Sequence, residues 1–288
     1  MRKLSTLIAA SVAAALALTA CGADAEPENT AGETTGTETT AAAGETSLVK
    51  VGASPLPHAK ILQFVQSDLA ADAGIELEIV EFDDYVLPNE ALAGGDLDAN
   101  YFQHLPYLEN QMTEKGYEFE HGEGVHIEPF ALFSDQHDSA DAIPEGGRIA
   151  ITNDPSNQYR GLKLLEEAGL LTGITEEDAV LTLTDEKNPK GLQFEESNPE
   201  IVVQQLSDPA IDAALINGNF ILTAGLSTDD AIAVEAVQGN PYANLLVWRT
   251  DNENPGVAVL EELLHSQEVA DFIKQEWPSG DVIPGEVA

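Results

Sequence analysis

The chain has 288 residues, with 51 Asp and Glu against 12 Lys and Arg, a formal charge of −39 at pH 7. Such an excess argues against nucleic acid as a partner, because phosphate binding needs clustered Lys and Arg, and against an anionic lipid surface as the docking face of the folded part. With 43% hydrophobic residues, 9 Phe, 6 Tyr and 2 Trp, the chain can build a core of one large or two ordinary domains; an acidic, Lys-poor surface also suits high salt.

The chain opens with Arg2 and Lys3, then an apolar run from Leu4 to Leu18 broken only by Ser5, Thr6 and Ser11. That is the layout of an export signal over residues 1–20, too short for a membrane span. Leu18-Thr19-Ala20-Cys21-Gly22 matches the bacterial lipobox, so Cys21 is expected to become the acylated first residue of the mature protein. Cys21 is the single cysteine, which removes disulfides from the folded part. Residues 22–46 carry six acids, no base, no aromatic residue and no Val, Ile or Leu. Too little apolar surface is available there to offset chain entropy, so the segment is expected to be a disordered tether, with residues 21–46 forming anchor and spacer. These features place the folded unit outside the cytoplasm, on the outer face of the cytoplasmic membrane or the periplasmic side.

From Ser47 onward, strand and helix signals alternate. Leu48–Gly52 reads as a strand, Leu56–Ala73 as a helix, and Ile75–Phe82 as a largely period-two strand. A helix is predicted from Pro88 to the Gly94-Gly95 stop, a strand over Leu97–Phe102 and a helix over Pro106–Lys115. A second unit begins with the strand Gly147–Thr152, followed by a helix capped by Asp154 with Pro155 at its first position. Further strands are predicted at Gly191–Phe194, Ile211–Ile216 and Ala231–Val237, with helices at Ile201–Leu206 and Asn217–Leu226. Ile127–Phe133 and Tyr242–Trp248 flank this unit as two passages between lobes, and Val257–Trp277 reads as a helical tail returning to the first lobe. The expected fold is an α/β, two-lobed clamp with mainly parallel sheets, residues 47–130 and 248–288 forming lobe 1 and 131–247 forming lobe 2.

No G-x-S-x-G elbow, P-loop, G-x-G-x-x-G or H-E-x-x-H occurs. Among so many carboxylates, an acidic pair carries no catalytic signal. His121, His126 and His137 are the histidines closest in sequence, and a metal-ion receptor gains weight only if histidines converge; the expectation is no metal and no cofactor. The informative segment runs from Asp84-Tyr85 through Pro88-Asn89 to Asn100-Tyr101-Phe102-Gln103-His104 and Tyr107. Aromatic residues cluster there at a strand end and the following turn, where open α/β sheets place their clefts. Tyr85, Tyr101, Phe102, His104 and Tyr107 stand beside Asn89, Asn100 and Gln103, a mixture suited to an amphipathic small molecule.

These blocks resemble the methionine-binding lipoproteins of the NlpA/MetQ family, receptors for an ABC importer. The resemblance also rests on Val51–Ala59 (VGASPLPHA), Val125–Pro129 (VHIEP), Asn153–Arg160 (NDPSNQYR), Ala214–Asn217 (ALIN) and Asn240–Leu245 (NPYANL), in family order. It implies a periplasmic-binding-protein-like, type II-like clamp without enzymatic activity. It also implies Arg160 as the holder of a ligand carboxylate, a group that a planar guanidinium can grip with two parallel charge-assisted bonds. Asn217 and Asn244 are implied as contacts of the amino-acid head group, although Asn217 could equally cap the helix it precedes. Tyr85, Phe102, His104 and Tyr107 are implied as the side-chain pocket, where a thioether packs well against rings. For Arg160, the competing reading is a surface residue balancing Glu166 and Glu167. The bulky Tyr159 is expected to shape the pocket wall.

The function so implied is a lipid-anchored monomeric receptor for L-methionine, D-methionine or a methionine dipeptide. It would deliver the ligand to a membrane permease driven by a cytoplasmic ATPase. Competing readings are a receptor for another small amino-acid-like or metal solute, a surface hydrolase, and an adhesion module.

Overall fold

In the computed structural model, which describes residues 46–285, the chain first builds strand β1 (Ser47–Ala53), helix α1 (Lys60–Asp68), β2 (Ile75–Glu81), α2 (Leu87–Gly94), β3 (Ala99–His104), α3 (Leu105–Lys115) and β4 (Phe119–Ile127). Residues 128–130 then cross to β5 (Ala131–Phe133), β6 (Arg148–Thr152), α4 (Pro155–Glu167), β7 (Gln193–Ser197), α5 (Pro199–Gln205), β8 (Ala213–Ile216), α6 (Gly218–Thr223) and β9 (Ala233–Val234). Residues 235–243 return to β10 (Asn244–Arg249), α7 (Pro255–Leu264), α8 (Gln267–Glu276) and β11 (Ile283–Pro284). The export signal, the acylated Cys21 and the tether up to residue 45 lie outside the described residues.

Two sheets result, β11-β4-β10-β3-β1-β2 and β7-β6-β8-β5-β9. This is the two-lobed α/β clamp expected, with three corrections. The sheets are mixed rather than mainly parallel: β10 runs antiparallel to β3 and β4, and β5 antiparallel to β8 and β9. The cause is the double crossing, since β4 leads the chain out of the first sheet and β10 leads it back alongside. The return also comes earlier than the expected boundary at Val247, because Asn244, Leu245 and Leu246 already pair with β3 in the first sheet. Finally, β4 spans Phe119–Ile127, a strand the sequence reading did not assign, and only its last residue falls in the predicted passage.

Local chemistry explains where helices start and stop. The Asp154 side chain accepts the Asn157 N–H at 3.0 Å, with Pro155 next, so α4 begins where its cap and proline dictate. The helix predicted from Leu56 starts only at Lys60. Leu56 precedes Pro57 and is extended (φ −129°, ψ 139°), as a residue before proline tends to be. The predicted tail helix is two helices, because the Ser266 hydroxyl accepts from the Val269 N–H and opens α8 afresh. Lobe 1 buries Val49, Val51, Ile61, Leu62, Leu260 and Ile273 together, so α1, α7 and α8 cover one face of its sheet; Phe64 stacks on Phe272 at 4.4 Å. Lobe 2 has its own core, including Leu132, Ile149, Ile151, Leu162 and Leu215. Among the described residues, no helix is long and apolar enough to cross a membrane.

The charge ratio leaves most carboxylates without a cationic partner, and pairs such as Lys50–Glu78 and Arg249–Asp251 are partly exposed. Exposed pairs contribute little to stability, while net self-repulsion opposes the compact state. Salt shortens the screening length from ~10 Å at 0.1 M to ~3 Å at 1 M. The melting temperature is therefore expected to rise by several degrees between those KCl concentrations. A flat or falling profile would refute this account of the acidic surface.

Candidate functional site

The C-terminal end of β3 and the start of α3 supply Phe102, Gln103, His104 and Tyr107, while Tyr85 reaches in from the loop before α2. Across the junction, α4 supplies Asn157 and Arg160, and the turn from β8 into α6 supplies Asn217, Gly218 and Asn219. Glu128 of the first crossing and Asn244 at the start of β10 close the ring. These residues line one cavity of about 340 Å³, a volume that includes its opening to solvent. All seven side chains singled out in the sequence, Tyr85, Phe102, His104, Tyr107, Arg160, Asn217 and Asn244, border it.

One wall is aromatic. Tyr85 lies 5.9 Å from Phe102, 5.8 Å from Tyr107 and 5.3 Å from Phe220, centroid to centroid. The Tyr107 hydroxyl donates to the Tyr85 carbonyl at 2.9 Å, and the Tyr85 hydroxyl crosses the junction to Asn219 Oδ1 at 2.5 Å. A second bond across the junction joins His104 Nε2 to Asn157 Oδ1 at 3.0 Å. His104 Nδ1 accepts the Tyr107 N–H, so the ring caps α3 and its Nε2 carries the proton donated to Asn157. Burial, helped by the nearby Arg160 charge, pushes the His104 pKa down to about 3. Asn217 heads α6 without a side-chain capping bond; its Nδ2 instead donates to Asn157 Oδ1 at 3.0 Å, which removes the capping alternative.

Arg160 is buried, which rules out the surface reading. It does not balance Glu166, which pairs with Lys163. Its Nε and Nη2 edge meets a carboxylate of the chain itself. Nε donates to Glu235 Oε2 at 2.6 Å and Nη2 to Glu235 Oε1 at 3.0 Å, while Nη2 also donates to the Glu128 carbonyl at 2.8 Å. Its guanidinium carbon lies 4.3 Å from the Tyr242 ring centroid. Tyr159 faces a wider groove outside this pair, with Lys163 and Glu167, and does not border the cavity.

Three residues of the aromatic segment belong to the scaffold. Asn89 and Asn100 are fully buried and, with Gln103, form a closed amide network: Asn100 donates to Asn89 at 2.8 Å, Asn89 to Gln103 at 3.0 Å and Gln103 back to Asn89 at 2.8 Å. This network ties α2 to β3, and Gln103 alone of the three borders the cavity. Tyr101 is also fully buried; it joins the lobe 1 core and bonds His126 Nδ1.

The residue that sequence reading missed is Glu128. It is 5% exposed and borders the cavity. Its Oε1 lies 2.8 Å from His126 Nε2 and 3.2 Å from His58 Nε2, and His58 Nε2 also lies 3.1 Å from Asn244 Oδ1. Burial pushes the Glu128 pKa up, while His58 and Arg160 pull it down. Burial pushes His126 down to about 3 and His58 down to about 4. Both imidazoles are therefore neutral and suited to donate to the carboxylate. The available signal was a charged residue inside the apolar Val125–Phe130 stretch. Other missed residues are Asn157, Gly218 and Asn219. At Gly218 a Cβ would meet the Glu128 Cβ at 2.4 Å, so only glycine lets α6 approach the crossing.

His58, His126 and Glu128 are also the one group among the described residues with potential metal-ligand spacing. Two histidines thus converge on one carboxylate, which is the condition on which the metal-solute reading depends. His121 and His137 take no part: His121 bonds the Gly122 carbonyl and His137 bonds Asp212.

Three buried histidines with depressed pKa values bind protons in the unfolded chain before they do so in the folded one. Stability is therefore lost as pH falls below the unfolded value of ~6.5, by about 1.4 kcal/mol per pH unit for each histidine until its folded value is reached. Glu128 works in the opposite sense above its ordinary value and offsets part of this slope. Urea unfolding at pH 7.5, 6 and 5 should show falling stability, less steeply in His126→Asn; a pH-independent midpoint would contradict the assignment.

The profile of the NlpA lipoprotein family matches residues 49–286. The methionine-binding lipoprotein MetQ of Bacillus subtilis is 38% identical over 254 residues, covering 86% of this chain and 92% of that protein. Among solved structures, a lipoprotein from Actinomyces odontolyticus superposes with a TM-score of 0.79 at 46% identity, over 84% of this chain and 100% of that one. A nutrient-binding protein from Burkholderia cenocepacia bound to methionine superposes with a TM-score of 0.76 at 38% identity, over 82% and 99%. The chain belongs to the NlpA lipoprotein family.

Proposed function

We propose that this protein is a lipid-anchored extracytoplasmic receptor that closes on methionine, or a close relative such as D-methionine or a methionine dipeptide, and delivers it to an ABC importer. The observation that carries the reading is one cavity at the lobe junction with an aromatic wall, an Arg and Asn corner and a buried carboxylate. In this reading Tyr85, Phe102, His104 and Tyr107 pack around the thioether. Arg160, through the Nη1 that Glu235 leaves free, and the amides of Asn217 and Asn244 hold the carboxylate end. Glu128 pairs with the ammonium. A ligand touching residues of both lobes favours the closed arrangement by its differential affinity for it. No bond is made or broken, which sets the reading apart from a surface hydrolase. Acylation of Cys21 would hold the receptor at the membrane, where a permease and its cytoplasmic ATPase receive the ligand.

Calorimetry on protein unfolded and refolded to strip carried-over ligand should detect binding of L-methionine, D-methionine or a methionine dipeptide; silence with all three would overturn the ligand. Arg160→Ala is expected to weaken binding by ~2–5 kcal/mol, through a buried carboxylate left unpaired, and an unchanged affinity would remove Arg160 from the site. For the anchor, the full-length protein expressed in a bacterium should partition into detergent, and Cys21→Ser should move it to the aqueous phase. Equal partitioning would dismiss lipidation.

A further inference from the structure

Glu235 stands at the end of β9, where the return crossing begins, and does not itself border the cavity. Its side chain is 9% exposed and that of Arg160 5%. Glu235 is held independently of the arginine: Oε2 accepts the Phe130 N–H at 3.2 Å and Oε1 accepts from the Asn240 side-chain amide. The carboxylate is thus fastened to both crossings before it meets Arg160. It then occupies the Nε and Nη2 edge of the guanidinium, while Tyr242 covers a face and the Glu128 carbonyl takes a further Nη2 proton. A guanidinium has five N–H donors. Those on Nη1 make no hydrogen bond to a described residue, and Arg160 borders the cavity.

We propose that Glu235 is the specificity-setting residue of the site: it fixes which end of Arg160 meets the ligand, and its charge tempers how strongly that end prefers a carboxylate over an uncharged group. The inference rests on the methionine reading above. Its physical basis is twofold. A planar cation gripped along one edge cannot rotate to offer that edge elsewhere, so a ligand meets Nη1 alone. A negative charge at hydrogen-bond distance also offsets part of the guanidinium's field at a ligand carboxylate, in surroundings that screen weakly. The two effects separate by substitution. Glu235→Gln keeps the length of the side chain and removes its charge; Glu235→Asp keeps the charge and withdraws it from the edge.

The test compares L-methionine with L-methioninamide, which replaces the carboxylate by a carboxamide, at a pH below the α-amine pKa so that both ligands carry an ammonium. Affinities are measured by calorimetry on stripped full-length protein. The wild type should prefer methionine. In Glu235→Gln the ratio of the two affinities should rise about tenfold, and in Glu235→Asp it should also rise, about threefold or more, because the released edge can then meet the ligand carboxylate. A purely structural role would lower the melting temperature and leave the ratio alone. Ratios within twofold of wild type in the variants that fold overturn the inference, and one folded variant suffices to decide. Failure of both to fold overturns it too, because Glu235 would then be a requirement of the fold. Absence of binding of either ligand to wild type is a different outcome, which removes the methionine reading itself.

Discussion

A carboxylate buried where two lobes meet has to be solvated by the protein itself, because burying an unpaired charge costs several kcal/mol or more. Glu128 is that group. His126 comes to it from β4 and is braced by Tyr101 of β3, and His58 comes from the turn that follows β1. Gly218 lets the start of α6 press against it. The backbone of Glu128 serves as well, since its carbonyl accepts from Arg160 on α4. One residue of the first crossing thereby sets the positions of elements from both sheets, and the cavity is the space those elements leave.

The charge inventory of the cavity follows from this. Arg160 and Glu235 form a pair, and Glu128, the acidic group that faces the cavity, makes no salt bridge to a Lys or Arg. An ammonium entering there would favour the ionised carboxylate that burial disfavours. On the proposed reading, ammonium recognition and ionisation of Glu128 are one event. The neutral imidazoles supply hydrogen bonds and no competing charge, which leaves that role to the ligand.

How much of this was legible in the sequence depended on how local the determinant was. Asp154-Pro155 fixes the start of α4 from adjacent residues, and that start fixes where Arg160 lies on the helix. The aromatic residues between Tyr85 and Tyr107 lie on one loop–helix–strand–helix run, so their nearness follows from sequence. Residues whose role depends on tertiary pairing escaped notice. Glu235 meets Arg160 across 75 positions and was one acid among 51. His58 meets Asn244 across 186 positions, beyond any motif. Within the aromatic segment itself, residue type could not show that Tyr101 enters the core while Phe102 and His104 face the cavity. Nor could it show that Asn89 and Asn100 satisfy each other.

The scarcity of basic residues sharpens the same point. After residue 46 the chain has three arginines, and they sit in three different environments. Arg148 is exposed on β6, and Arg249 donates from β10 to the carbonyls of Leu92 and Leu97, where α2 ends. Arg160 is buried at the cavity and paired. In so acidic a protein, an unpaired arginine at the junction would attract surrounding carboxylates. A dedicated partner anchored to both crossings prevents that competition. The edge presented to the cavity then stays the same whichever acids lie nearby, so a strongly acidic surface and a guanidinium facing the cavity can coexist on one chain.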